Sequence, residues 1–258
     1  MTESLLFGVI ASSALVLGAV GGGRLQIPKR VLAAMLAFAA GALMTALAFE
    51  LFEDSYEQGG IWRAALGLGA GAVVFTVLSA QLDKMAEGRR QEEQGSEKLD
   101  PDAAASDEVA SEASVSGAAG LALLGAVTLD GIPENVALGV SLGEGSGGIA
   151  LLAAIFVSNF PEALVGSASM RAQGRSQGFI FGTWTVCAVA LTLAVVLGAG
   201  PLSASSPETL SLPLSFAAGA VLASLADTLM PEAYEQGGPT VALSTAAGFL
   251  LSFVLSTL

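Results

Sequence analysis

Asp130 and Glu134 stand four residues apart in TLDGIPENVALGVSL, a stretch that is otherwise apolar. Four residues is about one helical turn, so both carboxylates fall on one face. A second Pro-Glu follows in SNFPEAL, where Ser158 and Glu162 repeat the spacing and Asn159 stands beside them. Pro133 and Pro161 lack an amide donor and disturb the helical bonds to the carbonyls of Leu129 and Val157. The two segments therefore offer three carboxylates, an amide, a hydroxyl and two freed carbonyls, a set rich in hard oxygen donors. Neither segment contains Lys or Arg. A divalent cation would relieve both the mutual repulsion of the carboxylates and their desolvation. The same residues also admit a proton relay, or a kinked helix whose Glu bonds to a neighbouring hydroxyl or backbone group.

The elements that must hold these residues are membrane helices. The chain has 258 residues, 53% hydrophobic and only 13% charged, against about 25% charged in soluble domains. Its mean hydropathy is +0.70. Eight hydrophobic spans follow in order: Leu5–Gly22, Val31–Phe52, Ala64–Leu82, Ala118–Leu142, Gly148–Met170, Gly178–Leu197, Leu212–Met230 and Val241–Leu258. Each approximates the roughly 17 to 25 residues a helix needs to cross the hydrocarbon. An all-α polytopic membrane protein with eight transmembrane helices in one domain is the expectation. A carboxylate at that depth costs about 2.5 to 3.5 kcal/mol even on the lenient insertion scale, which makes the Pro-Glu segments functional candidates. The first span lacks a basic leader and a cleavage site and is read as a retained helix.

Composition also excludes chemistry. There is no histidine and a single cysteine, Cys187, so imidazole ligands, Ser-His catalysis and an intrachain disulfide are ruled out. No GxxxxGK[ST] phosphate loop is present. The net charge of −13 argues against nucleic acid as a partner. No enzyme activity and no prosthetic group are expected.

Basic residues set the orientation. Arg24, Lys29 and Arg30, then Lys84, Arg89, Arg90 and Lys98, then Arg171 and Arg175 occupy the first, third and fifth loops, leaving only Arg63 elsewhere. Those odd loops are expected in the cytoplasm, with both termini outside the cell membrane. The third loop, residues 83–117, carries ten acids against four basic residues and reads as flexible.

An internal repeat joins the second and seventh spans. FAAGALMTALAFELFEDSYEQGG, from Phe38, and FAAGAVLASLADTLMPEAYEQGG, from Phe216, agree at 13 of 23 positions. An odd number of crossings separates them, so the copies are expected to run in opposite directions, as in transporters that alternate access around a midplane site. The alternative is a duplication kept for packing. Within the copies, Glu50 and Asp227 lie deepest and are candidate access ligands, whereas Glu53, Asp54 and Glu232 read as solvated helix ends. Trp184 reads as packing or an interface anchor.

DGIPEN (Asp130–Asn135), SNFPEA (Ser158–Ala163) and the paired FAAGA openings together resemble the ZIP (Zrt/Irt-like) metal transporters, most closely their GufA-like prokaryotic branch. In that family the fourth and fifth helices carry copies of a His-Asn-Ile-Pro-Glu-Gly type motif. The resemblance covers nearly the whole chain. It implies a three-plus-two-plus-three inverted-repeat bundle, often a homodimer, that moves zinc, manganese or iron into the cell through a binuclear site. By the same resemblance Glu134 and Glu162 are ligands, Asp130 replaces a motif His, and Asn159 matches a ligand position. Ser158 stands where the motif has His or another polar residue, and Gly131 replaces a motif Asn. The family's carboxylate from the sixth helix is absent, with Val189 at the aligned place, and so is its His-rich loop. A non-transporting relative with a sensing or structural role is the alternative.

All-oxygen sites suit harder ions than imidazole or thiolate sites do. In proteoliposomes manganese is therefore expected to enter or to compete with zinc. Zinc uptake that manganese neither shares nor inhibits is the contrary result.

Overall fold

The computed structural model of the chain describes residues 2–25, 27–97, 124–125, 127–129, 131–143 and 148–257, and every regular element among them is helical. The helices are α1 (Thr2–Arg24), α2 (Lys29–Ala46), α3 (Glu53–Glu97), α4 (131–143), α5 (Ile149–Ala172), α6 (Gln177–Leu197), α7 (Pro207–Ser224), α8 (Met230–Gly237) and α9 (Val241–Ser256). Three π-helical turns interrupt them, Leu47–Phe52 between α2 and α3, Gly198–Leu202 after α6, and Leu225–Leu229 between α7 and α8. Local chemistry accounts for several boundaries. Pro28 precedes α2, the Ser176 hydroxyl accepts the Phe179 amide at the start of α6, and Pro207 opens α7 behind Ser206.

Five helical runs among the described residues are long and apolar enough to cross a bilayer: Thr2–Arg24, Lys29–Leu82, Ile149–Ala172, Gln177–Leu202 and Pro207–Ser256. The protein is accordingly a membrane-embedded helical protein. Two of these runs, of 54 and 50 residues, exceed the ~25 residues of a single crossing. Each is broken by a glycine at positive φ, Gly60 at 73° and Gly238 at 64°. A side chain there would be strained, so glycine is what lets the chain turn after each YEQGG.

Glycine has a second use where helices meet. A methyl on Gly41 would strike the carbonyl oxygen of Thr245, and one on Gly248 that of Phe38, so α2 and α9 approach backbone to backbone. Gly71 against Phe216 and Gly219 against Leu68 do the same for α3 and α7. Gly18 and Gly22 seat α1 on Phe160 and Leu164 of α5, while Gly139 and Gly198 seat α4 on the turn after α6. Hydroxyls reinforce these seams. Thr45 donates to the Phe249 carbonyl at 3.0 Å, and Ser55 and Ser211 each donate to the other's carbonyl at 2.7 and 2.8 Å.

The Ser55–Ser211 pair joins the end of the α2 rod to the start of α7, and Gly237 at the far end of α8 lies against Ala33 at the start of α2. The α2 rod and the α7–α8 rod are therefore antiparallel. The largest apolar cluster draws on α2, α4, α5 and α7, including Leu43, Leu138, Ile155 and Leu214, all buried. A second cluster joins α1, α5 and α6 around Trp184, which is packing rather than an interface anchor.

One difference from the sequence expectation concerns the acidic stretch. Helix α3 continues to Glu97 rather than ending at Leu82, and residues 98–123 lie outside the described residues. Gln, Glu, Arg, Lys and Met, all good helix formers, dominate 81–97 and extend a helix already nucleated by the apolar run before them.

Gly41→Val or Gly219→Val is expected to destabilise the fold by about 1–3 kcal/mol or more, because overpacking at a backbone contact has nowhere to relax. Thermal unfolding in detergent measures it. Gly69→Ala, at a position with nothing within 4 Å, is the control and leaves the midpoint unchanged or raised.

Candidate functional site

Helix α4 places Glu134 and Asn135 in the interior, and α5 places Ser158, Asn159 and Glu162 there; all five are at most 4% exposed. Asp130 lies outside the described residues. Helix α5 runs through Pro161 without ending, as neighbouring helices in a membrane bundle permit.

The faces are fixed by helical geometry. Glu162 follows Ile155 by seven residues, about 20° short of two full turns, so both look the same way. Ile155 belongs to the four-helix core. On α4, Leu138 is one turn beyond Glu134 and joins the same core. The polar faces of the two helices thus point into the bundle formed by α2, α4, α5 and α7. A methyl on Gly148, at the start of α5, would lie 3.2 Å from the Leu138 side chain of α4, so the two helices pack closely there.

Donor atoms differ in what they have left to offer. The Ser158 hydroxyl donates to the Ile155 carbonyl at 3.0 Å, so its proton is committed to its own helix while its oxygen can still accept. Asn135 donates its amide nitrogen to the Gly131 carbonyl at 2.8 Å, and its buried oxygen has no hydrogen-bond partner among the described residues. The buried side-chain nitrogen of Asn159 also has none. Nitrogen and oxygen of an amide can be exchanged by rotation, so Asn159 can equally present its oxygen. Leaving a buried amide atom unmatched costs about 1–3 kcal/mol unless a ligand takes it up. Among the described residues no three His, Cys, Asp or Glu gather into a metal-holding group, a set that omits Asp130.

Asn135 is a buried polar residue directly after Glu134 that the motif resemblance does not point to. Its signal in the sequence is a lone amide directly after the motif Glu in an apolar helix. Two motif positions, in contrast, offer no ligand. A side chain at Gly131 would meet the Leu191 methyl at 3.0 Å, so α6 fills that space with hydrocarbon. Val189 is 56% exposed and faces away from the core.

A cavity of about 590 Å³ opens beside this region, lined by Glu50, Glu53 and Asp54 together with Ser141 and Gly148. Ser141 lies on the Glu134 face of α4, two turns or roughly 10 Å further along the axis. Along α4, Leu138 lies between Ser141 and Glu134, and along α5, Leu151 and Ile155 lie between Gly148 and Ser158; all three are fully buried. The acidic cavity and the buried polar faces are therefore separated by an apolar layer. Glu50 does not reach inward. Its carboxylate accepts the Leu151 amide at 3.0 Å and caps the start of α5, where Gly148 has no side chain to do so. Asp227 accepts from the Ser79 hydroxyl at 2.7 Å.

Comparison of the chain with protein-family models and with curated proteins gives no match.

The apolar layer predicts unequal access. In a Cys187→Ala background, Ser141→Cys is expected to react with a membrane-impermeant thiol reagent added from the cavity side, and Asn159→Cys to resist it. Equal labelling rates at both positions would show that the layer does not seal.

Proposed function

We propose that the chain is a ZIP-like permease for divalent metal cations, with Glu134 and Glu162 as the principal ligands. The observation that carries this reading is the pair of buried polar faces, Glu134–Asn135 and Asn159–Glu162, inside a bundle whose site segments hold no Lys or Arg. Carboxylates at membrane depth require a counter-charge or a proton, and a cation in transit supplies the first. Asn135 and Asn159 add neutral oxygens, Ser158 stands one turn before Glu162 on the same face, and Asp130 precedes Glu134 by the same four residues in the sequence.

The repeat supports a carrier. The π turns starting at Leu47 and Leu225, the glycines Gly41 and Gly219 at close approach, and the positive-φ glycines Gly60 and Gly238 all sit at the same offset as Phe38 and Phe216. With the two rods antiparallel, this is the pattern of an inverted repeat, and it fits an eight-crossing, three-plus-two-plus-three bundle. The acidic cavity concentrates cations at one mouth. The apolar layer beneath it is what alternating access needs, a seal that opens on one side at a time. The basic residues of the odd loops favour a cytoplasmic position for the opposite mouth, and uptake is the direction taken with this reading. The family's homodimer is carried over with this reading.

The part of α6 nearest Gly131 is the Leu191 side chain, so α6 supplies no donor in place of the side chain that Gly131 lacks. One cation per chain follows, with manganese favoured over zinc by the oxygen donor set.

Glu134→Ala and Glu162→Ala are each expected to lower manganese uptake into cells at least about tenfold, since even outer-shell partners of a metal cost that much. Surface expression and unfolding midpoint serve as controls. Wild-type uptake in both variants would refute the site.

A further inference from the structure

A groove of about 700 Å³ runs between α2, α5 and α9 on the side of α5 that carries Phe156 and Phe160. Its walls are Met35 and Phe38 of α2, those two phenylalanines, and Leu243 and Ala247 of α9. This volume lies within the roughly 300–1,000 Å³ of small-ligand sites. Arg30 stands at one end, in the first turn of α2, and Phe38 lies about 12 Å further along the helix axis. The groove is thus a long apolar slot with a cation at its mouth.

Charge fixes the chemistry of the occupant. Arg30 and the adjacent Lys29 make no ion pair or hydrogen bond with any described residue, whereas Arg63 is paired with Glu208 at 2.9 Å. No carboxylate lines the groove, and Ser244 is its only uncharged polar side chain. Neither water nor a soluble anion fills an apolar slot favourably, but an acyl chain can, and its headgroup would meet Arg30 at the mouth. We infer that the groove between α2, α5 and α9 is a site for one anionic phospholipid, with an acyl chain along Phe38, Phe156 and Phe160 and its phosphate at Arg30. The guanidinium fork suits a phosphate diester better than an ammonium does, which makes Arg30 the selecting residue. Neither the site nor its selectivity depends on the metal-transport reading, because the lipid is read without metal or uptake.

Native mass spectrometry of the full chain, released from micelles containing equal phosphatidylglycerol and phosphatidylcholine, tests it. One retained phosphatidylglycerol per chain is expected. Arg30→Gln should lower its retention relative to phosphatidylcholine about fivefold, the effect of one cation beside an anionic headgroup, and Arg30→Lys should restore part of it. Ala34→Trp, which fills the groove, should remove the bound lipid while the unfolding midpoint is kept. The inference is overturned if both lipids are retained equally or if Arg30→Gln changes nothing. It is likewise overturned if inorganic phosphate alone displaces the adduct, or if a second copy of the chain takes the place of the lipid.

Discussion

Glu134 and Glu162 hold their carboxyl groups where water is excluded, and the rest of the bundle answers that constraint. Carboxylates at membrane depth are costly, and the backbone of a membrane helix is largely taken up by its own hydrogen bonds. The surroundings are therefore built in two parts. Amide side chains, Asn135 and Asn159, stand beside the glutamates, and apolar residues Leu138, Leu151 and Ile155 close the way to the acidic cavity.

Helix contact is the second requirement. Lipid tails are as apolar as leucine, so hydrophobicity alone gives two helices no reason to associate. Here association rests on bare glycine backbone meeting carbonyl oxygen, at Gly41, Gly71, Gly219 and Gly248, and on hydroxyl bonds such as Ser55–Ser211. Such seams are thin and repeated. The π turns at Leu47–Phe52 and Leu225–Leu229 each redirect one acidic residue, Glu50 to the α5 terminus and Asp227 to Ser79.

Much of this is legible in the sequence because it rests on chemistry that needs no neighbour. Long uncharged runs mean membrane helices in any fold. Pro-Glu in mid-span means a costly carboxylate whatever surrounds it, and a 23-residue self-match means two related units. Glu134, Glu162, Ser158 and Asn159 were all recognisable on that basis, and all four are buried together with Asn135. Motif matching left Asn135 out because it weighs a residue against a pattern rather than against its burial.

The sequence by itself determined the helical, membrane-embedded class, the buried acidic motif and the repeated unit, since hydropathy, charge and self-similarity are properties of the chain alone. Only the tertiary structure decided which donors are free, where access is sealed and what Glu50 does. Those depend on contacts between residues far apart in the chain: Leu191 filling the space over Gly131, Leu138 meeting Gly148, and the Leu151 amide reaching Glu50 across a hundred residues. The continuation of α3 to Glu97 belongs with them. A composition that reads as loop in isolation is carried on as helix by the long apolar segment that precedes it.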